Sequence, residues 1–470
     1  MARMRTAVSM AAALFLVVSV PLGLAPAWAI EPPVIDPAAV PADGSPGPEE
    51  EMKESLGCAQ PGVLPDTDVT AVPGPQKFMR LPELWQSAGR GAGVTVAVID
   101  TGVSPSPRFP HLRGGGDYVM SGDGLQDCDS HGTVVAAIIG AAGSEGDGLV
   151  GVAPDADLVS IRQTSAAFSR AHPGMDNSAE NRRAGTVTTL ARAIVHAVNA
   201  GARVVNMSVV ACVPVLKPVD QTTLGAAIRY AAIEKDAVLI AAAGNASSDA
   251  YTSECAQNPD IDATNTADPR NWGRVITIST PSWYSDYVLS VGATDAAGQV
   301  AVDAHGNQIG LSGPWVGVGA PGVFVTGVND KGDPINATFN ARAAVFEPMG
   351  GTSFSAAYVS GLAALVRAKY PSLSALQIIN RIKQTAHAPA AVIDNRIGHG
   401  VLDPLAALND DVPPIPLPRE NLSSPLGPPP PPPPVDPRPR NVAVISAVAL
   451  ASVMGAVVAL TALAGRQRKQ

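Results

Sequence analysis

Two runs of small and β-branched residues constrain the fold of this chain more than any other feature. Val94-Thr95-Val96-Ala97-Val98-Ile99 leads directly into Asp100-Thr101-Gly102, and Ala237-Val238-Leu239-Ile240-Ala241-Ala242-Ala243 leads into Gly244-Asn245. Runs of this length without polar alternation read as strands buried on both faces, the condition of a parallel sheet between helices. In such sheets the working side chains stand just past the carboxyl ends of the strands. Asp100 and Asn245, a carboxylate and an amide, occupy those positions.

Two further segments supply the remaining chemistry. Asp129-Ser130-His131-Gly132-Thr133 precedes a small apolar run from Val134 to Gly143, which predicts a buried helix with His131 in its first turn. Gly351-Thr352-Ser353 opens a long apolar helix, so the Ser353 N–H lies at the positive helix end beside any anion formed there. Each segment taken singly has a plainer reading, because Ser and Thr are ordinary helix caps and Asn is a common turn former. Taken together, Asp100, His131, Asn245 and Ser353 provide the acid, base, oxyanion donor and nucleophile of acyl transfer. His111, His172, His196, His305, His387 and His399 lack this setting. Asp127, Asp129 and His131 have no second His or Cys pair at ligand spacing, so neither metal nor cofactor is predicted.

This order resembles the subtilase family over Val94 to Leu408. The matching motifs are Val-Ile-Asp-Thr-Gly-Val at 98–103, His-Gly-Thr at 131–133, Ala-Ala-Gly-Asn at 242–245 and Gly-Thr-Ser at 351–353. Gly-Val-Ala-Pro at 151–154 and Ala-Pro-Gly at 320–322 are also similar to turns of that family. The resemblance implies a subtilisin-like three-layer α/β domain with a seven-stranded parallel sheet. It also implies serine endopeptidase activity. An aspartic protease, which Asp-Thr-Gly alone would permit, needs a second such carboxylate, and the chain has none.

The flanks divide the 470 residues further. Residues 1–29 read as a signal peptide: Arg3 and Arg5 precede an apolar stretch that ends in Ala27-Trp28-Ala29. Residues 30–92 form a Pro-rich extension, acidic at Glu49–Glu51 and poor in apolar periodicity, which is expected to wrap the peptidase domain at 93–409 and stay attached. A Pro-dominated linker follows at 410–440, extended and semi-rigid. The apolar run within 441–465 is long enough as a helix, at ~35 Å, to cross a hydrocarbon core of ~30 Å. Arg466, Arg468 and Lys469 then assign the short tail at 466–470 to the cytoplasm and the peptidase to the outer side. Cys58, Cys128, Cys212 and Cys255 suit two disulfides in an exported chain. Three connectivities are open, and pairing of sequence neighbours, 58 with 128 and 212 with 255, is favoured. A formal net charge of −9 argues against nucleic-acid binding.

The chain departs from the general subtilase pattern in three places. Ala357-Tyr358 stands where Pro-His is common, Val210-Ala211 replaces a Gly-Gly beside the cleft, and Gln163 to Gly185 is a polar insertion before a helix at Thr186–Asn199. Side chains at 210 and 211 predict a narrowed groove. With the signal, extension, disulfides, stalk and terminal helix, nearly the whole chain resembles the mycosins, membrane-anchored subtilases of mycobacterial type VII secretion systems. Gly-Gly-Gly-Asp-Tyr-Val at 114–119 and Asp-Cys-Asp-Ser-His-Gly-Thr at 127–133 are similar to mycosin segments. That resemblance implies narrow cleavage of a protein substrate and association with components of the secretion membrane complex. A mainly structural role in that complex is the alternative.

Overall fold

A computed structural model of the chain describes residues 30–172, 184–246, 255–262, 264–413 and 438–467. The expected signal segment and most of the Pro-rich linker lie outside those residues. The chain divides into two units, one through Ser423 and one from Ser424.

The β-branched run at the opening of the peptidase domain becomes strand β1, Thr95–Asp100, buried from Val96 onward. Six more strands join it: β2 (Leu112–Asp117), β3 (Asp157–Arg162), β4 (Val204–Met207), β5 (Val238–Ala242), β6 (Val288–Thr294) and β7 (Val316–Pro321). All pair in parallel, in the order β7-β6-β5-β4-β1-β3-β2. The chain leaves β1 for the edge strand β2, returns through β3, and then builds outward on the other side of β1. Asp100, the last residue of β1, therefore sits where the direction of winding reverses, the usual place for a site in an open α/β sheet.

Helix α1 (His131–Gly140) follows the histidine loop and ends three residues before the apolar run does. Helix α2 (Val187–Asn199) starts after Thr186, whose hydroxyl caps Thr189 N–H in a reciprocal capping box. Helix α3 (Thr222–Arg229) packs on α2. Helix α4 (Thr352–Lys369) is buried on every side from Thr352 to Arg367, and it packs on α1 and across the central strands. Such a helix presents no polar face and can exist only as the middle of a core.

The N-terminal extension is less irregular than its composition suggests. Gly74–Met79 and Leu81–Ala88 are helices, each with a proline at its start, and the second buries Leu81 and Leu84. Upstream, Met52–Glu54 pairs antiparallel with Phe168–Arg170 of the polar insertion, and Pro61–Gly62 pairs with Ala337–Thr338. Asp43 accepts hydrogen bonds from Asn199 and faces His196 at 2.8 Å, and Glu49 accepts one from the Thr186 hydroxyl at 2.6 Å. Disulfides join Cys58 to Cys128 and Cys212 to Cys255, the favoured pairing. Among its described residues the second unit contains one helix, Arg438–Gln467, with a 20-residue span at Val442–Thr461 long and apolar enough to cross a membrane.

Candidate active site

Asp100, the expected acid, is fixed by its own strand. Asp100 is fully buried at the tip of β1, and its Oδ1 accepts the Thr101 N–H at 2.7 Å and faces His131 Nδ1 at 2.7 Å. Nδ1–H donates in this pair, so in the neutral ring the lone pair is on Nε2. Burial disfavours a charged ring, but the Asp100 carboxylate, with smaller contributions from Asp127 and Asp129, overcomes it and raises His131 to about 9.

The loop before His131 is braced from four directions. Asp127 accepts the Thr101 hydroxyl at 2.8 Å, the Asp129 N–H at 3.1 Å, the Thr133 N–H at 2.8 Å and the Thr133 hydroxyl at 2.6 Å. Thr101 in turn accepts the Gly132 N–H at 2.9 Å. One half-buried carboxylate thus ties the residue after Asp100 to the residues after His131. Burial pushes that carboxyl up to about 6, against the hydrogen bonds it accepts and with repulsion from Asp100. Asp129 accepts the Ser165 hydroxyl and the Ala166 N–H of the insertion, while Cys128 is covalently held to Cys58 of the extension. Ser130 adopts a left-handed backbone at φ 59, a conformation that needs such support in a non-glycine residue.

Asp127 and Asp129 are therefore positioning groups. The sequence offered them only as weak metal candidates; an acid four residues before His-Gly-Thr, within reach of two threonines, was the available signal. Among the described residues, Glu54 also approaches Cys58 and Cys128, but a disulfide occupies both sulfurs.

Ser353 lies in the first turn of α4, 7% exposed, with its carbonyl accepting the Ser208 hydroxyl at 3.1 Å. Asn245, three residues past β5, accepts the Thr352 N–H and hydroxyl through Oδ1, both at 2.9 Å, which leaves its Nδ2 hydrogens for the cleft. Gly351, at φ 156, permits this approach: a Cβ there would stand 3.0 Å from Asn245 Nδ2. His131, Asn245 and Ser353 all line one cavity of about 450 Å³, which is also lined by Met349 and by Phe339 and Glu347 of the hairpin formed by Ala337–Asn340 and Val345–Pro348. The structure so gathers four residues spread over 253 positions of sequence onto the carboxyl side of one sheet, with Asp100 directly behind His131.

Residues 91–400 match the Subtilase family. The chain belongs to the subtilase family, in its mycosin branch. Mycosin-1 of Mycolicibacterium smegmatis is 45% identical over 99% of this chain and 100% of its own length. The structure of a serine protease MycP1, an essential component of the type VII (ESX-1) secretion system, is 48% identical, with a TM-score of 0.75 over 81% of this chain and 99% of that one. A chain of an intact ESX-5 inner membrane complex is 46% identical, with a TM-score of 0.76 over 92% of this chain and 100% of its own. This mycosin is accordingly a subtilisin-like serine peptidase. The Tyr358 that replaces the common histidine is fully buried in α4, and its hydroxyl has no hydrogen-bond partner among the described residues. Burial alone raises its phenol above the ordinary range.

Proposed function

We propose that this mycosin is a membrane-anchored endopeptidase that serves a type VII secretion complex and cleaves a narrow set of exported proteins. Ser353 Oγ attacks the scissile carbonyl while His131 Nε2 takes its proton. Asp100 holds the ring in the required tautomer and stabilises the imidazolium. Asn245 Nδ2 and the Ser353 N–H receive the oxyanion, a pair in which loss of one donor costs ~10²–10³ in turnover. His131 then passes the proton to the departing amine, and water repeats the sequence to release the acyl group. The observation that carries this reading is the 2.7 Å contact of His131 Nδ1 with Asp100 at the edge of a cavity shared with Ser353 and Asn245.

The apolar span at Val442–Thr461, of mean hydropathy 2.5, supports anchoring by one C-terminal helix. Basic residues after it support a cytoplasmic tail and an extracytoplasmic peptidase. Two disulfides suit that oxidising side, as does removal of residues 1–29 as a signal peptide. Labelling of the full chain in membranes with a fluorophosphonate tests the chemistry. Ser353 should be modified in the wild type and not in His131→Ala; an unlabelled wild type would refute the reading.

A second role, as a structural stabiliser of the complex, draws support from the related chain seen in an ESX-5 inner membrane complex. Comparing Ser353→Ala with deletion of the whole chain separates the two. Secretion lost as fully in Ser353→Ala as in the deletion would leave the structural role without support.

A further inference from the structure

We infer that the leaving half of the substrate binds as an added β-strand along the open edge of Val345–Pro348, so that the substrate must present an extended stretch of about six residues after the cut bond. This inference rests on the catalytic roles proposed above. His131 hands its proton to the departing amine, so the leaving half starts beside His131 and Ser353. It then enters the part of the cavity that these residues share with Glu347, Pro348 and Gly350. Val345–Pro348 is the outer strand of a three-stranded sheet. It pairs with Ala337–Asn340, which pairs in turn with Pro61–Gly62 of the extension. The other side of Val345–Pro348 has no strand partner among the described residues, and all four residues are exposed. Val345 and Phe346, 49% and 41% exposed, put apolar surface on an edge of the kind that proteins otherwise cover or shield with charge.

The backbone along this edge is set for pairing. Phe339 N–H donates to the Gln60 carbonyl at 2.9 Å, away from Val345–Pro348. Met349 N–H donates to the Asn336 carbonyl at 3.0 Å, and Gly351 N–H to the Gly322 carbonyl at 2.7 Å. Backbone groups alternate sides along a strand. Val345, Glu347, Met349 and Gly351 therefore turn theirs inward, and Phe346, Pro348 and Gly350 turn theirs outward. A proline at 348 agrees with this, because proline in a sheet is confined to positions that donate to no neighbouring strand. The open groups are the N–H and carbonyl of Phe346, the carbonyl of Pro348, and the N–H and carbonyl of Gly350. Among the described residues nothing hydrogen-bonds to the Gly350 pair. Edge-to-face packing of Phe339 on Phe346, 5.4 Å between ring centres, holds the two strands together. The chain from Phe346 to Ser353 runs toward the nucleophile, and the leaving half runs away from it. The two are thus antiparallel, and successive outward residues face every second residue of the peptide. Gly350, three residues before Ser353, meets the start of the leaving half. Phe346 lies about 13 Å further out and meets a residue about four places later, which sets the length at about six.

The test uses the full-length chain in membranes and a randomised peptide mixture, from which a peptide cut by the wild type and spared by Ser353→Ala is taken. Shortening its leaving half from about eight residues to about two should lower kcat/KM at least about 10-fold, since each lost hydrogen bond is worth about 2- to 10-fold. N-methylation of single backbone amides along the leaving half should slow cleavage about 3-fold or more at every second position and much less in between. Phe346→Pro removes one outward N–H and should bring the long-to-short ratio of kcat/KM down about 3-fold or more. Phe346→Ala keeps that N–H and should change the ratio less; the N-methyl series on the wild type serves if the proline variant does not fold. Equal kcat/KM for long and short peptides, or N-methyl effects without alternation, would overturn the inference. So would fluorophosphonate labelling of Ser353 with no peptide of the mixture cut. Failure of the fluorophosphonate itself would remove the catalytic roles, and the inference with them.

Discussion

The pH dependence of Ser353 reactivity tests how the site balances burial against charge. Only neutral His131 can act as a base, and three carboxylates hold its protonated form up to about 9 although burial opposes them. With a limb at that value, about 1% of the rings are neutral at pH 7 and about half at pH 9. The second-order rate of fluorophosphonate labelling should therefore rise about 50-fold between those pH values. An unperturbed imidazole would give a rise of only about 1.3-fold. Asp127→Asn should move the limb back toward 6.5, and Asp129→Asn should do so by less, in the order of their effect on His131. The same pairing acts on stability with a definite sign. The folded value lies above the free value of 6.5, so the stabilisation is complete below 6.5 and is lost as the pH rises through about 9. That gap corresponds to about 2–3 kcal/mol after screening at the exposed edge of the ring. Denaturant unfolding of wild type and His131→Ala should converge by that much across the same window. A labelling rate that rises less than about threefold would put the limb below about 7.5. It would then be wrong that the carboxylates outweigh burial.

Three other changes bear on separate parts of the structure. In Gly132→Ala the new Cβ would meet the Gly102 carbonyl at 2.1 Å and Asp100 Oδ1 at 3.0 Å. A displacement of ~1 Å at the acid–base pair should cost ~10²-fold in kcat/KM, measured on any cleaved peptide. Replacing Cys58 and Cys128 together by Ser opens a link across 70 residues. Chain entropy bounds the loss at about 4 kcal/mol, to be read from denaturant unfolding, with slower labelling as the histidine loop loosens. Tyr358→Phe removes a buried hydroxyl that has no partner among the described residues. It should leave stability unchanged or raise it by up to about 1 kcal/mol; a loss above that would mean the hydroxyl does form an unrecognised bond.

What could be read from the sequence followed distance along the chain. The positions of Asp100 and Asn245 were legible because the first ends, and the second closely follows, a strand whose burial is written in its neighbours. Ser353 was legible because a Gly-Thr turn meets an apolar helix. The bracing of His131 was not, since Asp127 works through Thr101 and Thr133, and Asp129 through Ser165, a contact 36 residues away. Only the Asp127–Thr133 pair, six residues apart, is local; no local pattern encodes the other two. The helices at Gly74–Met79 and Leu81–Ala88 escaped for another reason. Pro75 and Pro82 look like breakers in a Pro-rich stretch, yet at the first turn of a helix proline lacks only a hydrogen that would go unused. The short strand at Met52–Glu54 has no pattern of its own and exists only because Phe168–Arg170 lies beside it.

The link from Cys58 to Cys128 has a consequence for how processing of this molecule would look. A backbone cut anywhere from Ala59 to Asp127 would leave two polypeptides joined by one covalent bridge, and the upstream piece would still be paired through Met52–Glu54. Such a nicked molecule would run as one species without reductant and as two with it. It would keep its histidine loop pinned and expose a new amino terminus while shedding nothing. Clipping in that interval would therefore mark the molecule's history while leaving its inventory of parts intact, and only a reducing gel or terminal sequencing would reveal that it had happened.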